Sequence, residues 1–465
     1  MANQPFIALD LGTSHIKGAV IDLERMALAH IIREPFPGAV PGLPPQFYEI
    51  DPGQIVSAVM QVIRQLLPHA PNCAGLVMCG QMGGLALTTE RGHPLSNYIS
   101  WRDQRLLLPA PGGSGTYFDG LLERLSSAEQ RQLGREVRPG LPISYLYWLA
   151  AEKQLPASGA MAATLTDFVC AALCGSAPAM HMSQAVGALD LETLDWHHGV
   201  FSKLGLETVR WPGLHDVRDE VGRLEIDGLV LPCFAPVGDH QAALAGVSLG
   251  YDELSINIST GSQVGLLTHA LAPGDYQTRP FFDGRFINTI THIPAGRSLN
   301  VLLALLTELL TAQQSELGDP WAYIEQASAA AAGTDLAVDL AFFPGPVGER
   351  GAIRSISESN LTVGQLFYAA FRNMAENYEA CALRLSPAKA WQTLVFSGGL
   401  AQKLSLVREL IAARLPGEAR VCAATEETLL GLLAIAMVIS GRASSVAAAS
   451  EALRAPELES ISNAE

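Results

Sequence analysis

The chain has 465 residues and a formal net charge of −16, with 49% hydrophobic and 16% charged residues. Its length exceeds one ordinary core and predicts two large domains, and its apolar content excludes a disordered chain. The acidic balance argues against an extended nucleic-acid or anionic-membrane surface. It leaves nucleotide binding open, because backbone N–H groups and a metal ion can hold phosphates.

The cysteines and the apolar runs predict a cytoplasmic protein. Seven scattered cysteines, an odd number, are typical of buried thiols rather than disulfides. Cys170 and Cys174 have helical spacing, but no His or further Cys lies at ligand spacing, so buried thiols are favoured over a metal site. No apolar run has the length of a membrane span, and the N-terminus lacks the pattern of a secretory signal.

The N-terminal stretch predicts two strands joined by a glycine turn. The apolar run 6–9 ends at Asp10, and a strand pattern resumes at Ile16 after the turn 12–14. Backbone N–H groups and hydroxyls at such a tip can bind phosphate oxygens, and Asp10 could hold a hydrated divalent metal. An ordinary surface hairpin with a capping Asp explains this stretch alone equally well.

Strand and helix patterns then alternate, which indicates α/β architecture. A buried strand leads into a glycine-rich turn that carries Gln81, and a short strand at Ile99 precedes Trp101, Arg102 and Asp103. Ligands of open α/β sheets collect beyond strand ends, where amide, carboxylate and aromatic groups suit a polyol. Core packing of the indole and a local Arg102–Asp103 ion pair are the alternatives.

A second strand end carries an acid that could act as a base. An apolar strand ends at Gly238-Asp239, and small residues open a helix from Gln241. A carboxylate at a helix N-terminus is expected to stay ionised and could accept a proton from a bound hydroxyl. A plain N-cap Asp is the commoner explanation of such a residue.

The chemistry of the opening hairpin recurs in the second half of the chain. Residues 254–265 have the pattern of a strand, a turn 260–262 rich in hydroxyls and glycine, and a second strand. A later strand ends at Gly398 and Gly399, where the backbone can approach a nucleoside closely. The recurrence predicts two phosphate-binding hairpins, one early in each half.

These motifs, in this order, resemble those of the FGGY carbohydrate kinases of the actin/hexokinase/Hsp70 superfamily. The chain departs from the family pattern at Gly83, where His is usual, and at Tyr145, where many relatives carry Lys. Within the family, it resembles the ketose kinase branch, which includes sedoheptulokinase and xylulokinase. The segments that match the family are 10–14, 80–82, 101–105, 238–243, 259–262, 397–399 and 427–434, and those that resemble the ketose kinase branch are 142–148, 167–175, 257–260 and 348–350.

The resemblance implies an α/β fold with two ribonuclease-H-like domains flanking an active-site cleft. The implied divisions are a sugar-binding N-terminal domain at 1–245, an ATP-binding C-terminal domain at 246–445 and a tail at 446–465. Asp239 would act as the catalytic base, and Asp10 and Asp239 would hold Mg²⁺. The implied sugar contacts are Gln81, Met82, Trp101, Asp103 and Asp239. The implied ATP and phosphate contacts are Gly12, Thr13, Ser14, Lys17, Thr260, Gly261, Ser262, Gly398 and Gly399.

The expected activity is the ATP-dependent phosphorylation of a terminal hydroxyl of a small sugar, a ketose such as sedoheptulose or xylulose. Ribulose, glycerol and erythritol are alternative substrates, and a catalytically silent sugar-binding or regulatory protein is an alternative function. The presence of both Asp10 and Asp239 argues against a silent protein. An actin-like or chaperone ATPase would lack the group around Gln81 and Trp101 and ranks last. The expected partners are the sugar and MgATP, with neither nucleic acid nor membrane, and a homodimer is left open.

Overall fold

The computed structural model describes residues 4–113, 115–156, 158–313, 318–422 and 425–454. The chain divides into two compact units. Unit 1 comprises Met1–Ser248, Thr278–Phe286 and Glu426–Glu465. Unit 2 comprises Leu249–Gln277 and Ile287–Thr425.

Helices occur along the whole described chain. None of the described helices is both long and apolar enough to cross a membrane. The α-helices are α1 Pro52–Leu66, α2 Tyr117–Glu123, α3 Ser127–Gln132, α4 Pro142–Ala151, α5 Leu165–Cys174, α6 His198–Lys203, α7 Asp239–Gly246, α8 Gly296–Ala312, α9 Pro320–Ala329, α10 Val363–Leu385, α11 Gly399–Lys403, α12 Ser405–Ala412, α13 Glu427–Ile439 and α14 Val446–Leu453.

Strands alternate with these helices, and several of them are only two or three residues long. The strands are β1 Phe6–Leu11, β2 His15–Asp22, β3 Ala27–Pro35, β4 Glu49–Ile50, β5 Leu76–Gly80, β6 Ala86–Thr88, β7 Tyr98–Ile99, β8 Met161–Ala163, β9 Ala179–Met180, β10 Leu189–Asp190, β11 Asp195–Trp196, β12 Gly213–Leu214, β13 Glu220–Ile226, β14 Leu229–Phe234, β15 Val237–Gly238, β16 Glu253–Asn257, β17 Gln263–Thr268, β18 Gln277–Pro280, β19 Phe286–Thr291, β20 Ala337–Asp339, β21 Ala352–Arg354, β22 Thr393–Ser397 and β23 Glu418–Val421.

Unit 1 is built on a mixed sheet with the strand order β13-β14-β5-β1-β2-β3, and β15 also pairs with β5. Strands β1, β2 and β3 form an antiparallel meander, whereas β5 runs parallel to β1 on its other side. The predicted N-terminal hairpin is therefore confirmed, and β1 is a central strand. All six residues of β1 are buried, as its apolar run predicts.

Unit 2 repeats this arrangement. Its hairpin partners β16 and β17 are antiparallel, and β22 runs parallel to β16 on the other side, followed by parallel β23. Strand β19 lies beyond β17 in the position that β3 has in unit 1. The predicted recurrence of the hairpin is thus confirmed at the level of topology, and with it the α/β class.

Helix α1 covers the unit 1 sheet because its sequence carries both a start signal and an apolar stripe. The side chain of Asp51 accepts hydrogen bonds from the N–H groups of Gly53 and Gln54, which caps the helix. A Cβ atom on Gly18 of β2 would lie 2.5 Å from Val62 Cγ1, so the missing side chain lets the helix approach the sheet.

Helices α7 and α13 pack in close contact within unit 1. A Cβ atom on Gly246 of α7 would lie 1.9 Å from the carbonyl oxygen of Glu427. A Cβ atom on Gly431 of α13 would lie 1.9 Å from the carbonyl oxygen of Ala242. Both glycines are therefore required for the two backbones to meet. This contact fixes α7, whose first residue is Asp239.

The compact units divide the chain differently from the predicted domains. The first cut falls after Ser248, close to the predicted boundary at 245/246. Helix α13 was predicted within the ATP-binding domain and packs in unit 1 instead. Helix α14 occupies part of the predicted tail, and residues 455–465 lie outside the described residues. The domain boundaries implied by the resemblance stay a prediction.

Candidate active site

Two predicted site carboxylates lie at one edge of the unit 1 sheet. On one side of β5, Asp10 of β1 is in register with Cys79. On the other side, Gly238 of β15 is in register with Gly80, and Asp239 follows directly. Neighbouring strands lie about 4.8 Å apart, so β1 and β15 are separated by about 10 Å across β5. This spacing lets both carboxylates reach one bound molecule at the strand ends.

Asp10 is buried among groups that partly offset its charge. Thr428 donates a hydrogen bond of 2.7 Å to Asp10 Oδ2, and Lys17 Nζ lies 3.8 Å from the same oxygen. Burial nevertheless raises the pKa of Asp10, against the opposing effects of Lys17 and Thr428. Lys17 also lies 3.0 Å from Glu426, so this predicted phosphate ligand is engaged by two carboxylates. Its phosphate-binding role stays a prediction.

Asp239 opens α7 and is half-buried. Burial, followed by the nearby charge of Asp10, raises the pKa of Asp239 to about 7. A hydrogen bond of 2.8 Å from the N–H of His240 to Oδ1 opposes this shift. The helix N-terminus therefore does not keep the pKa of this carboxylate low, because burial and the second acid dominate. A carboxylate that titrates near pH 7 is suited to accept a proton from an alcohol.

A buried polar network begins at His240, the residue after Asp239. The sequence did not predict this network. His240 Nδ1 accepts a hydrogen bond of 2.8 Å from Arg279, whose Nε binds Glu136. Arg138 lies 3.3 Å from the second oxygen of Glu136. Burial and the charge of Arg279 hold the pKa of His240 well below its usual range, so this ring is neutral. Arg279 lies far along the chain, and spacing within one motif could not reveal it.

The predicted sugar-side residues join the tip of the first hairpin. The hydroxyl of Thr13 donates to Gln81 Oε1 at 3.4 Å and accepts from Trp101 Nε1 at 3.2 Å. Gln81 is buried, whereas the Trp101 side chain remains partly exposed. Met82 Sδ would lie 3.0 Å from a Cβ atom on Gly238, the residue before Asp239. The structure thus brings these sugar-side residues to the strand edge that carries the two acids.

Asp103 differs from its prediction as a substrate contact. Arg105 binds both carboxylate oxygens, at 2.9 Å and 2.8 Å, and the N–H of Tyr48 donates to Oδ2 at 2.6 Å. Asp103 is only 1% exposed, so its two oxygens are committed to the protein. The ion pair considered from the sequence does exist, but with Arg105 rather than Arg102. This geometry makes Asp103 a brace for the loop that carries Trp101.

The two departures from the family pattern also support that loop. Gly83 has φ +103°, and a Cβ atom there would lie 2.7 Å from the carbonyl oxygen of Gly140 and 3.3 Å from Trp101 Cβ. A larger residue such as His does not fit without backbone movement. Tyr145 is buried, and its hydroxyl donates to the carbonyl oxygen of Ser100 at 2.7 Å. Both residues therefore position Trp101.

Some polar groups at the tip of the first hairpin form hydrogen bonds within the protein. The N–H of Gly12 donates to the carbonyl oxygen of His15 at 3.1 Å, which closes the turn. Thr13 is shared with Gln81 and Trp101, as described above, and Ser14 is exposed. Phosphate binding by Gly12, Thr13 and Ser14 stays a prediction.

The corresponding tip in unit 2 is closed by a serine. Ser262 Oγ donates to the carbonyl oxygen of Ser259 at 2.8 Å and accepts from its N–H at 3.0 Å. Ser262 is fully buried, so its hydroxyl shapes the turn and is not offered to a phosphate. Thr260 and Gly261 are exposed, and a Cβ atom on Gly261 would meet nothing within 4 Å. Phosphate binding by the backbone groups of Thr260, Gly261 and Ser262 stays a prediction.

The paired glycines after β22 have different structural roles. Gly398 has φ +89°, and a Cβ atom there would lie 2.7 Å from the carbonyl oxygen of Ile258. Only glycine fits this position. Gly399 begins α11, and a Cβ atom there would meet nothing within 4 Å. Nucleotide binding by Gly398 and Gly399 stays a prediction.

Comparison with known proteins identifies the family of this chain. The model of the FGGY family of carbohydrate kinases, N-terminal domain, matches residues 6–244, more than half of the chain. The chain belongs to the FGGY family of carbohydrate kinases. The family predicted from the motif order is therefore confirmed, and the predicted enzyme class, carbohydrate kinase, is that of the family.

The curated relatives with detectable sequence similarity are glycerol kinases. Glycerol kinase 2 of Saccharolobus solfataricus is 23% identical over 288 residues, which cover 55% of this chain and 52% of the relative. The glycerol kinase of Cereibacter sphaeroides is 25% identical over 278 residues, 52% of this chain and 50% of the relative. The chain thus spans about half the length of the curated relatives it matches.

Solved structures share the fold over nearly the whole chain. A ligand-bound xylulose kinase from Lactobacillus acidophilus has a TM-score of 0.81 at 17% identity, covering 96% of this chain and 91% of that one. Plasmodium falciparum glycerol kinase with ADP has a TM-score of 0.78 at 15% identity, covering 97% and 92%. These likenesses show that the chain shares the fold of these kinases, and they confirm the predicted α/β fold class.

Proposed function

We propose that this chain transfers the γ-phosphoryl group of ATP to a terminal hydroxyl of a small sugar, with Asp239 as the general base. The observation that carries the proposal is the placement of Asp239 beside Gly80 at the strand edge that also holds Asp10. Its pKa of about 7 lets the carboxylate accept a proton at physiological pH. Phosphoryl transfer otherwise depends on positioning and charge stabilisation.

Asp10 and Asp239 fit a divalent cation. The charge of Asp10 raises the pKa of Asp239, and a cation bound by both carboxylates would relieve this repulsion. Oδ2 of Asp10 accepts a hydrogen bond from Thr428, which orients this carboxylate. Mg²⁺ at this site would neutralise charge on the phosphate oxygens of ATP. In unit 2, taken by itself, the exposed turn at Thr260 and Gly261 is a second candidate for phosphate binding through backbone groups.

Gln81, Met82 and Trp101 would hold the sugar next to Asp239. The amide of Gln81 can bind hydroxyls, and the partly exposed indole of Trp101 offers a face to sugar carbons. Asp103, Gly83 and Tyr145 would act through Trp101, as residues that position its loop. A ketose such as sedoheptulose or xylulose is the substrate class that we propose, because the motif order resembles that of the ketose kinases.

A shorter polyol is the second candidate substrate. The curated relatives are named glycerol kinases, and their similarity extends over about half of this chain. The loop around Trp101 is held by close packing at Gly83, so its position relative to Gln81 is fixed by the fold. Measured turnover, rather than membership of the family, distinguishes a short polyol from a longer one as the substrate.

Release of ADP in a coupled assay tests the proposed activity. The panel consists of sedoheptulose, xylulose, ribulose, erythritol and glycerol, each with MgATP, and the background is ATP hydrolysis without sugar. We expect ADP release to rise well above this background with a ketose. A higher kcat/KM for glycerol than for every ketose would favour the second candidate. Sugar binding without stimulated ADP release from any member would contradict the kinase and favour a silent sugar-binding protein.

The pH dependence of the reaction tests the base assignment. Because only the ionised carboxylate accepts a proton, we expect kcat/KM to fall about tenfold per pH unit below the pKa of Asp239. Burial and Asp10 raise that pKa to about 7, so the decline should begin near neutrality. Asp167 provides a matched control, since burial also raises its pKa to about 7 and it caps α5. The variant Asp167→Asn should keep the inflection, and a profile that is flat through neutrality would contradict the assignment.

A further inference from the structure

Three cysteine sulfurs meet within unit 1, away from the residues assigned above. Cys170 and Cys174 lie one turn apart at the end of α5, and Cys233 lies in β14. Their Sγ atoms are all within 4.8 Å of one another, and all three are free thiols. Cys170 and Cys233 are buried, whereas Cys174 is partly exposed. The sequence pattern indicated only the helical pair Cys170 and Cys174, because Cys233 comes from a distant strand.

The sheet has space for the end of α5 beside Cys233, because Gly222 of β13 has no side chain. Gly222 of β13 is in register with Cys233 of β14, next to an irregularity of the β13–β14 ladder. Side chains of paired residues project from the same face of a sheet. A Cβ atom on Gly222 would lie 2.6 Å from Cys174 Cβ and 2.8 Å from its Sγ. The missing side chain of Gly222 is thus what allows Cys174 to lie beside Cys233.

A fourth donor, Ser176 Oγ, approaches the same position on Gly222 as the sulfur of Cys174. Gly175 ends α5 in the left-handed conformation, with φ +64°, and the N–H of Ser176 returns to the carbonyl oxygen of Ala171. This turn places Ser176 Oγ 3.1 Å from the same Cβ position on Gly222. The hydroxyl oxygen is buried and has no hydrogen-bond partner among the described residues. An unpaired buried hydroxyl is energetically unfavourable, and a bound ligand would relieve this.

We propose that Cys170, Cys174 and Cys233 bind one thiophilic cation of the Zn²⁺ class, with Ser176 or a water molecule in the fourth position. Zn–S bonds of about 2.3 Å place the sulfurs of a tetrahedral site about 3.8 Å apart, so a shift of about 1 Å completes the site. Each ligating thiol loses its proton to solvent as its sulfur–metal bond forms, with no change of oxidation state. The partly exposed Cys174 gives the ion its route of entry. The bound ion would tie α5 to the sheet.

The test is a metal titration of the reduced, metal-free full-length chain. Zn²⁺ is added in competition with a chromophoric chelator, and Cd²⁺ serves as a second probe through its thiolate charge-transfer absorption. We expect one ion per chain and a rise in Tm with Zn²⁺. The variant Cys174→Ser should weaken binding by more than about 100-fold. Cys73→Ser is the matched control, because Cys73 is also partly buried in unit 1 but lies outside the cluster; its affinity should equal that of the wild type.

Two further variants separate metal binding from a general loss of structure. Gly222→Ala keeps every sulfur but fills the space beside Cys174, so it should also abolish binding. Ser176→Ala should weaken binding by about tenfold if its hydroxyl is a ligand or orients one. Far-UV circular dichroism in the absence of metal verifies the fold of each variant. Failure of the reduced wild type to bind either probe, or unchanged binding by folded Cys174→Ser, would overturn the proposal.

Discussion

Substitution of Asp239 by Asn is expected to lower kcat by about 1,000-fold. Asn has nearly the same shape as Asp but cannot accept a proton from the attacking hydroxyl, so loss of rate reports the base. Steady-state ADP release with the best sugar of the panel gives kcat, and calorimetric titration with sugar and with ATP analogue gives the two affinities.

The pattern across these measurements distinguishes a base from a binding group. A base contributes to the transition state, so kcat should fall while the affinity for sugar changes little. Asp167→Asn is the control, since it alters another buried acid of unit 1 that only caps α5. It should retain kcat within a few-fold of the wild type. Turnover of Asp239→Asn near the wild-type value would rule out the catalytic role.

The position of the candidate site could be predicted from the sequence because its residues follow apolar runs. Such runs form buried strands, and polar residues at their ends face the ligand edge of a sheet. Asp10, Gln81 and Asp239 were found in this way, and the registers through Cys79 and Gly80 bring their strands together. Local pattern was sufficient here because each signal lies within a few residues.

Residues that support the site from distant segments could not be predicted. Thr428 and Glu426 reach Asp10 and Lys17 across more than 400 residues of sequence, and Arg279 reaches His240 across 39. Only tertiary structure brings such groups together. Cys233, which lies beside Cys170 and Cys174, was not predicted for the same reason.

A motif also does not separate polar side chains that face a ligand from those that brace the backbone. Asp103 and Ser262 lie within matched segments, yet Arg105 and the turn at Ser259 occupy their polar atoms. The distinction depends on whether the oxygen is buried and already bonded. A departure from the motif can also have a structural cause. Gly83 replaces the usual His because its backbone packs against Gly140 and Trp101.

Substitution of Gly431 by Ala is expected to lower the free energy of unfolding by about 3 kcal/mol. Helix propensity alone predicts the opposite, since Ala is favoured over Gly by about 1 kcal/mol within a helix. Here the added Cβ atom would lie 1.9 Å from the carbonyl oxygen of Ala242, so α13 and α7 must move apart. Backbone atoms cannot move aside as a flexible side chain can, so the clash outweighs the gain in helix propensity. Urea unfolding followed by circular dichroism gives the difference from the wild type.

Gly199→Ala in α6 is the matched control, because the nearest atom to its new Cβ would be 3.7 Å away, an ordinary contact. It should gain about 0.5–1 kcal/mol from propensity. Separation of α7 from α13 would also shift Asp239, which is the first residue of α7, so Gly431→Ala should lower kcat in the molecules that remain folded. Equal stabilisation of both variants would show that the helix contact is looser than the structure indicates, and the position of Asp239 would then need another explanation.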